Sequence, residues 1–212
     1  MCVPNVKTLL FVVSGPSGAG KKTLIDYVTD RFPGIERVST YTTRAPRPGE
    51  TPNVDYFFID KPKFDQLTES GEIFEYTRTY GDSLYGSPKR LIDGSDCKDI
   101  ITELDYKGMF RIRASSNRSV ISIFILPPSL NTLVERIESR SPIDNLERRL
   151  DLVSEQLQFA WAYDYILINE DKNHFLEEAE SIIRAELLRR KGITELLRQR
   201  HLYDVTLMEP TK

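Results

Sequence analysis

Nine residues, Gly15-Pro16-Ser17-Gly18-Ala19-Gly20-Lys21-Lys22-Thr23, set glycines and a lysine at the offsets of a loop that holds phosphate. Small residues let backbone N–H groups turn inward around an anion. A helix starting just after them adds the positive end of its dipole at the same point. Lys21 then reaches the terminal phosphates as a point charge. Composition alone puts two glycines and a lysine at these offsets in roughly one of a few thousand start positions. One residue departs from the strict pattern. Ser or Thr should follow the lysine as a Mg²⁺ ligand, but Lys22 stands there and Thr23 comes one residue later. An ammonium at that place repels the metal, or partly replaces its charge, or points to solvent while phosphates and water hold the metal.

A second constellation is Thr40-Tyr41-Thr42-Thr43-Arg44-Ala45-Pro46-Arg47-Pro48-Gly49-Glu50, followed by Val54-Asp55-Tyr56-Phe57-Phe58. Two arginines three apart on a proline-stiffened turn suit a phosphate, because guanidinium forks bind it bidentately and prolines reduce the entropy lost on ordering. Alone, the stretch reads equally well as a solvated basic turn. The chain has two histidines, His174 and His201, and neither has a Cys or His neighbour at metal-ligand spacing.

The elements that must carry these groups follow from periodicity. Leu9 to Gly15 is a short apolar run ended by Gly and Pro, a buried strand; Lys21 to Phe32 is a helix with Leu24, Ile25, Val28 and Phe32 on one face. Strands are expected at Asp99 to Asp105, Ser119 to Pro128 and Asp164 to Glu170. Helices are expected at Leu130 to Arg140, from about Asn145 to Trp161, and at Lys172 to Arg190, with a short basic helix after Gly192. Strands alternating with helices make a parallel sheet covered on both faces. The stretch from Val38 to Pro88, rich in Thr, Tyr, Arg, Pro and Gly, reads instead as a small inserted α+β subdomain with a helix around Lys61 to Glu69.

With 212 residues, 40% hydrophobic and 29% charged, the chain can bury a core in one domain. The formal net charge of -3 argues against broad binding to nucleic acid or membrane, and no apolar run reaches the length of a membrane span. The start, with no cationic region before its apolar run, reads as a strand and not a signal peptide. Cys2 and Cys97 are expected to be plain thiols in a reducing cytoplasm.

Together these pieces resemble the guanylate kinase family. The resemblance spans about Leu9 to Arg190 and rests on GPSGAGK, TTRAPRPGE, DYFF, Gly71-Glu72-Ile73-Phe74-Glu75-Tyr76, Tyr85-Gly86-Ser87, ILPPS and INED, in that order. It implies a P-loop NTPase-type α/β core with helices on both faces (1–37 and 89–212), an acceptor-binding subdomain (38–88), a helical lid (about 136–149) and a helical tail (192–212). It implies ATP and GMP as substrates, Mg²⁺ with the ATP, a cytoplasmic protein, and a monomer or homodimer.

The roles implied are these. The loop Gly15 to Thr23, with Arg136 and Asn169, binds ATP, and Lys21, Arg44, Arg140 and Arg149 carry the transfer. Arg44 and Arg47 bind the GMP phosphate with Tyr56 and Tyr85, while Glu75 reads guanine with Thr40, Ser87 and Asp105. A carboxylate accepts from both N1–H and the N2 amine of guanine, and adenine would leave it unpaired. Taken singly, Glu75 is also consistent with an exposed strand-edge carboxylate. Glu103 replaces the first aspartate of the family's strand end, where it and Asp105 stand behind the metal or its water, or Glu103 anchors a loop. A Lys22–Glu103 ion pair would compensate the two unusual residues. Ser139-Arg140-Ser141-Pro142 replaces the family's GRGT lid turn. Gly81 to Gly86 is one residue longer than GNYYG, and Leu84 replaces the aromatic partner of Tyr85, so a looser acceptor pocket is expected. The alternatives are a guanylate kinase-like binding module without catalysis, and a kinase for another acceptor such as ribose 1,5-bisphosphate.

Overall fold

A computed structural model of the chain describes residues 6–78, 82–138 and 146–198. In chain order the elements begin with β1 (Leu9–Ser14), α1 (Lys21–Arg31), β2 (Ile35–Arg37), β3 (Thr40–Thr42), β4 (Tyr56–Phe58), α2 (Lys61–Glu69), β5 (Ile73–Arg78) and β6 (Leu84–Pro88). They continue with α3 (Arg90–Asp93), β7 (Asp99–Glu103), α4 (Tyr106–Ser115), β8 (Ser119–Leu126), α5 (Leu130–Glu138), α6 (Leu146–Leu157), a 3₁₀ turn (Ala160–Ala162), β9 (Tyr165–Ile168) and α7 (Lys172–Arg198). No helix among the described residues is long and apolar enough to cross a membrane.

The larger sheet is parallel throughout, in the order β2-β7-β1-β8-β9. Its centre, β1, is buried along its whole length, as a strand covered on both faces must be. The pleat divides its residues between two cores. Leu9, Phe11 and Val13 pack with Leu24, Ile25 and Val28 of α1 and Phe175, Ala179 and Ile183 of α7. Leu10 and Val12 pack with Tyr106, Met109 and Ile112 of α4.

The smaller sheet runs β4-β3-β6-β5, with β3 parallel to β4 and antiparallel pairing elsewhere. Its strands all fall between Thr40 and Pro88. Helix α2 starts where the Asp60 carboxylate accepts from the Lys63 amide at 2.9 Å, and its Phe64 is buried with Ile73 and Leu84. Leu84 thus serves the core of this sheet.

Three expectations are corrected. Helix α7 runs unbroken through Gly192, which is exposed: a lone glycine costs roughly 1 kcal/mol, less than the helix formers around it contribute. Helix α4 had not been expected; Gly108 and three basic residues hide its apolar stripe of Tyr106, Met109 and Ile112, and Asp105 caps it by accepting from Gly108 N at 2.7 Å. Cys97 is half of a disulfide rather than a plain thiol. The chain's other cysteine, Cys2, lies outside the described residues.

Gly86 sits in β6 under α2, where a Cβ would come within 2.8 Å of both Phe64 and Ile73. Gly86→Ala should therefore lower unfolding free energy by about 1–3 kcal/mol, as overpacked cores do. Amide exchange should rise mainly in β3 to β6; uniform loss of protection across both sheets would contradict a local effect.

Candidate functional site

The phosphate-type loop leaves β1 at the sheet's carboxyl edge, where open parallel sheets place their ligands. Gly15 has φ +141° and Gly20 φ +112°. A Cβ on Gly15 would stand 2.3 Å from the Ile125 carbonyl oxygen, and one on Gly20 would stand 2.3 Å from Asn169 Nδ2. Glycine is required at both for conformation and for space. Ala19 N donates to Pro16 O at 3.1 Å, and Asn169 Nδ2 donates to Ala19 O at 2.8 Å, bracing the loop from β9. Arg136 Nη2 donates to the Asn169 carbonyl at 3.3 Å, so of the two residues assigned to the donor side Asn169 touches the loop and Arg136 touches Asn169. Arg140 lies outside the described residues, as do the side chains of Arg148 and Arg149.

Lys21 Nζ donates to Gly15 O at 2.8 Å and Pro16 O at 2.9 Å, and lies 3.5 Å from Glu103 Oε1. The Tyr56 hydroxyl donates to the same Glu103 oxygen at 3.4 Å. Glu103 therefore stands between the loop lysine and a tyrosine of the smaller sheet. Burial first, then the Glu103 charge, raises the Tyr56 hydroxyl well above its usual pKa, so it is a donor at neutral pH.

The expected Lys22–Glu103 pair is not formed. Lys22 Nζ donates to Asp55 at 2.5 Å and lies 3.5 Å from Asp26, one turn along α1. Lys22 immediately follows Lys21 at the start of α1, and adjacent helical positions point about 100° apart, so only Lys21 faces Glu103. Arg37 also binds Asp55, at 2.9 Å, and Asp26, at 2.8 Å. Asp55 further accepts from Thr51 N at 2.8 Å. Burial opposes its charge, but Lys22, Thr51 and Arg37 outweigh burial and hold the carboxyl below its ordinary range.

Arg44 is enclosed by aromatic rings. Its Cζ lies 4.9 Å from the Tyr56 centroid, 5.5 Å from Phe58 and 5.9 Å from Tyr85. Its Nε donates to Tyr85 Oη at 2.8 Å, and its two Nη atoms each donate to a different Glu50 oxygen at 2.6 Å. Burial lowers the guanidinium pKa, but Glu50 and Tyr85 more than reverse this, and it stays charged. Burial likewise opposes the Glu50 charge, and Arg44 with the Arg47 amide overcomes it. Arg47 projects into solvent beside this pair. Glu50, given no role from the sequence, is the carboxylate that holds both Nη atoms of Arg44.

Register assembles the rest. Thr42 opposes Tyr85, Glu75 opposes Ser87, and Thr40 and Thr42 oppose Tyr56 and Phe58. With a two-residue period, Thr40, Thr42, Tyr56, Phe58, Tyr85, Ser87 and Glu75 share one face of the smaller sheet. Glu75 is buried, at 9% exposure, which removes the reading as a solvated strand-edge carboxylate. It accepts from the Ser87 hydroxyl and from Arg111 Nη1, the latter at 3.0 Å. Asp105 lies beside it at the start of α4, close enough for its charge to act on the Glu75 carboxyl. Arg111 was missed because the helix that carries it was missed.

The two ion-pair alternatives make different predictions. In a cycle on unfolding free energy, Lys22→Met and Asp55→Asn should couple by about 0.5–2 kcal/mol, whereas Lys22→Met and Glu103→Gln should add within about 0.5 kcal/mol. Equal coupling to both carboxylates would contradict the geometry.

The family model described as guanylate kinase matches residues 7–186. A guanylate kinase of Rhodopseudomonas palustris strain HaA2 is 36% identical over 198 residues, covering 90% of each chain. One from Wolbachia sp. subsp. Brugia malayi is 38% identical over 197 residues, covering 91% of this chain and all of that one. The crystal structure of guanylate kinase from Anaplasma phagocytophilum superposes with a TM-score of 0.69 at 29% identity, covering 93% of this chain and 97% of that chain. Similar to these proteins over nearly its whole length, the chain belongs to the guanylate kinase family.

Proposed function

We infer that the chain is a nucleoside monophosphate kinase that transfers the γ-phosphoryl group of ATP to GMP, giving ADP and GDP. A bond forms between a phosphate oxygen of GMP and Pγ, and the bond from Pγ to the β,γ-bridging oxygen breaks. The protein's work in such a transfer is positioning and charge stabilisation, with no covalent protein nucleophile. The observation that carries the reading is Glu103, within 3.5 Å of both Lys21 of the donor loop and Tyr56 of the acceptor sheet. Two anion sites converge on one carboxylate.

The residues are assigned as follows. Backbone amides from Gly15 to Thr23 cradle the ATP phosphates, and Lys21 follows the charge as it moves to the leaving oxygen. Residues 38–88 form the acceptor subdomain, hinged on a core of 1–37 and 89–212. In it Arg44, Arg47, Tyr56 and Tyr85 take the GMP phosphate, and Glu75, Ser87, Thr40 and Asp105 take the guanine edge. Segment 136–149 is assigned as the lid, with Arg140 and Arg149 acting on the transferring group; residues 139–145 of it lie outside the described residues. Asn169 and Arg136 support the ATP side through the loop.

Mg²⁺, bound with the ATP, would supply charge neutralisation during transfer. The residues fit an ion held mainly by phosphate and water. Among the described residues no cluster of three or more His, Cys, Asp or Glu forms a cage, Lys22 turns to Asp55 instead of offering a hydroxyl, and Glu103 is the carboxylate nearest the loop lysine.

A coupled assay of ADP release, offering GMP, dGMP, AMP, UMP and ribose 1,5-bisphosphate, tests the reading. GMP and dGMP should be turned over, with AMP lower by about two orders of magnitude or more. Arg44→Ala should raise KM for GMP by about 10²-fold and leave KM for ATP within about threefold. Lys21→Ala should cut kcat by about 10²–10³-fold. Preference for the ribose bisphosphate, or equal losses for both nucleotides in Arg44→Ala, would reject the assignment.

A further inference from the structure

Helix α4 belongs to the core, yet one side of it is shaped to the Glu75 carboxylate in the other sheet. Asp105, its cap, and Gly108 and Arg111 within it are spaced three apart, which brings them to the same side of the helix. Each bears on Glu75. The Asp105 charge acts on it. A Cβ on Gly108 would stand 3.2 Å from Glu75 Oε1 and 3.3 Å from Asp105 Oδ1, tighter than ordinary contact, so the glycine leaves the strand carboxylate room close to the helix. Arg111 Nη1 donates to Glu75 Oε2 at 3.0 Å and to the Tyr76 carbonyl at 2.8 Å.

The consequence concerns how many acceptor sites Glu75 offers. Each carboxylate oxygen has two lone pairs. The Ser87 hydroxyl uses one on Oε1, and Arg111 uses one on Oε2. One lone pair remains on each oxygen, and guanine presents two donors, N1–H and the N2 amine, side by side. A carboxylate anchored at both oxygens cannot rotate to offer one oxygen alone. We propose that Arg111 is a positioning residue for guanine recognition, reaching from the core to fix Oε2 of Glu75 so that both oxygens face the base together.

This rests on the assignment of guanine to Glu75. It gives Arg111 a second effect through charge. Burial raises the Glu75 pKa, Ser87 and Arg111 hold it down, Asp105 raises it, and the balance lies above the ordinary carboxylate range. These are the groups facing Glu75: Ser87 from β6, and Asp105 and Arg111 from α4. A protonated Glu75 would set a donor against the donors of guanine. GMP binding should therefore be full above the Glu75 pKa and fade as pH falls through it. Removing Arg111 takes away a lowering influence, so the fade moves to higher pH. The Arg111 side chain is half exposed, at 52%, so its loss leaves little cavity.

The test is calorimetric GMP binding and steady-state kinetics across pH for the full chain with Arg111→Met, Arg111→Lys or Glu75→Gln. Arg111→Met should weaken GMP binding about tenfold at neutral pH, as loss of a charge-assisted bond does, and shift the acid limb upward. Its kcat at saturating GMP and its KM for ATP should stay within about twofold. Arg111→Lys should restore the position of the acid limb, because the charge returns. An Arg111→Met protein with unchanged GMP affinity and acid limb, beside a Glu75→Gln protein that has lost GMP, would overturn the role of Arg111 alone. Unchanged GMP binding in Glu75→Gln would overturn the guanine assignment and this inference with it. Parallel losses of kcat and ATP affinity in Arg111→Met would also overturn it, since they mark a general structural role.

Discussion

The two-residue period of the smaller sheet decides which side chains can meet a substrate. Leu84 and Gly86 turn toward α2, where Phe64 and Ile73 crowd them, and this sends Tyr85 and Ser87 to the other side. The antiparallel register with β3 and β5 then sets Thr42 and Glu75 beside them. A slip of one residue in β6 would bury Tyr85 and Ser87 under α2 and expose Leu84. The apolar contacts of one face therefore fix the polar array on the other. The placing of Tyr85, Ser87 and Glu75 thus depends on the packing of a phenylalanine and a glycine on the opposite face.

Charge sets the second condition. A site for two polyanions needs a high local density of cations, and cations in a half-buried cleft repel one another and lose hydration. The protein supplies its own counter-groups. Glu50 holds both arms of Arg44, carbonyls of Gly15 and Pro16 hold Lys21, and Glu103 stands within reach of Lys21. The aromatic box of Tyr56, Phe58 and Tyr85 keeps the Arg44 plane oriented, so little rotamer entropy remains to be lost on binding. A phosphate that reaches Arg44 must share it with Glu50 or displace it.

How far the chain could be read without coordinates depended on the kind of signal. The loop from Gly15 to Thr23 and the buried strand before it were readable because glycines at fixed offsets and an unbroken apolar run have few other uses. The pair Arg44 and Arg47 was readable as a phosphate site only in company, since its motif fits a basic turn equally well. Helix α4 escaped because a glycine and its arginines obscure the apolar stripe, and Arg111 escaped with it. The same glycine that weakens the helical pattern is the one that admits Glu75. Local propensity had been given up for a tertiary contact, and no window of sequence reports that. The unexpected continuity of α7 through Gly192 has the opposite cause: an exposed glycine with no neighbour to satisfy is simply outvoted.

Lys22 carries the same lesson into the chemistry. By pattern, an ammonium beside the metal position is an electrostatic fault, and Glu103, longer by a methylene than the expected aspartate, looked like its remedy. Helix geometry rules otherwise, since consecutive residues at the start of α1 cannot face the same carboxylate. Lys22 answers to Asp55 and Asp26, and Arg37 completes a four-charge network joining α1, β2 and the turn before β4. Its charge is thereby spent away from the loop. Glu103 is left to Lys21 and Tyr56, one from the loop at the start of α1 and one from the smaller sheet. A hydroxyl at position 22 is too short to span to Asp55, so the tie between the start of α1 and the turn before β4 depends on the lysine.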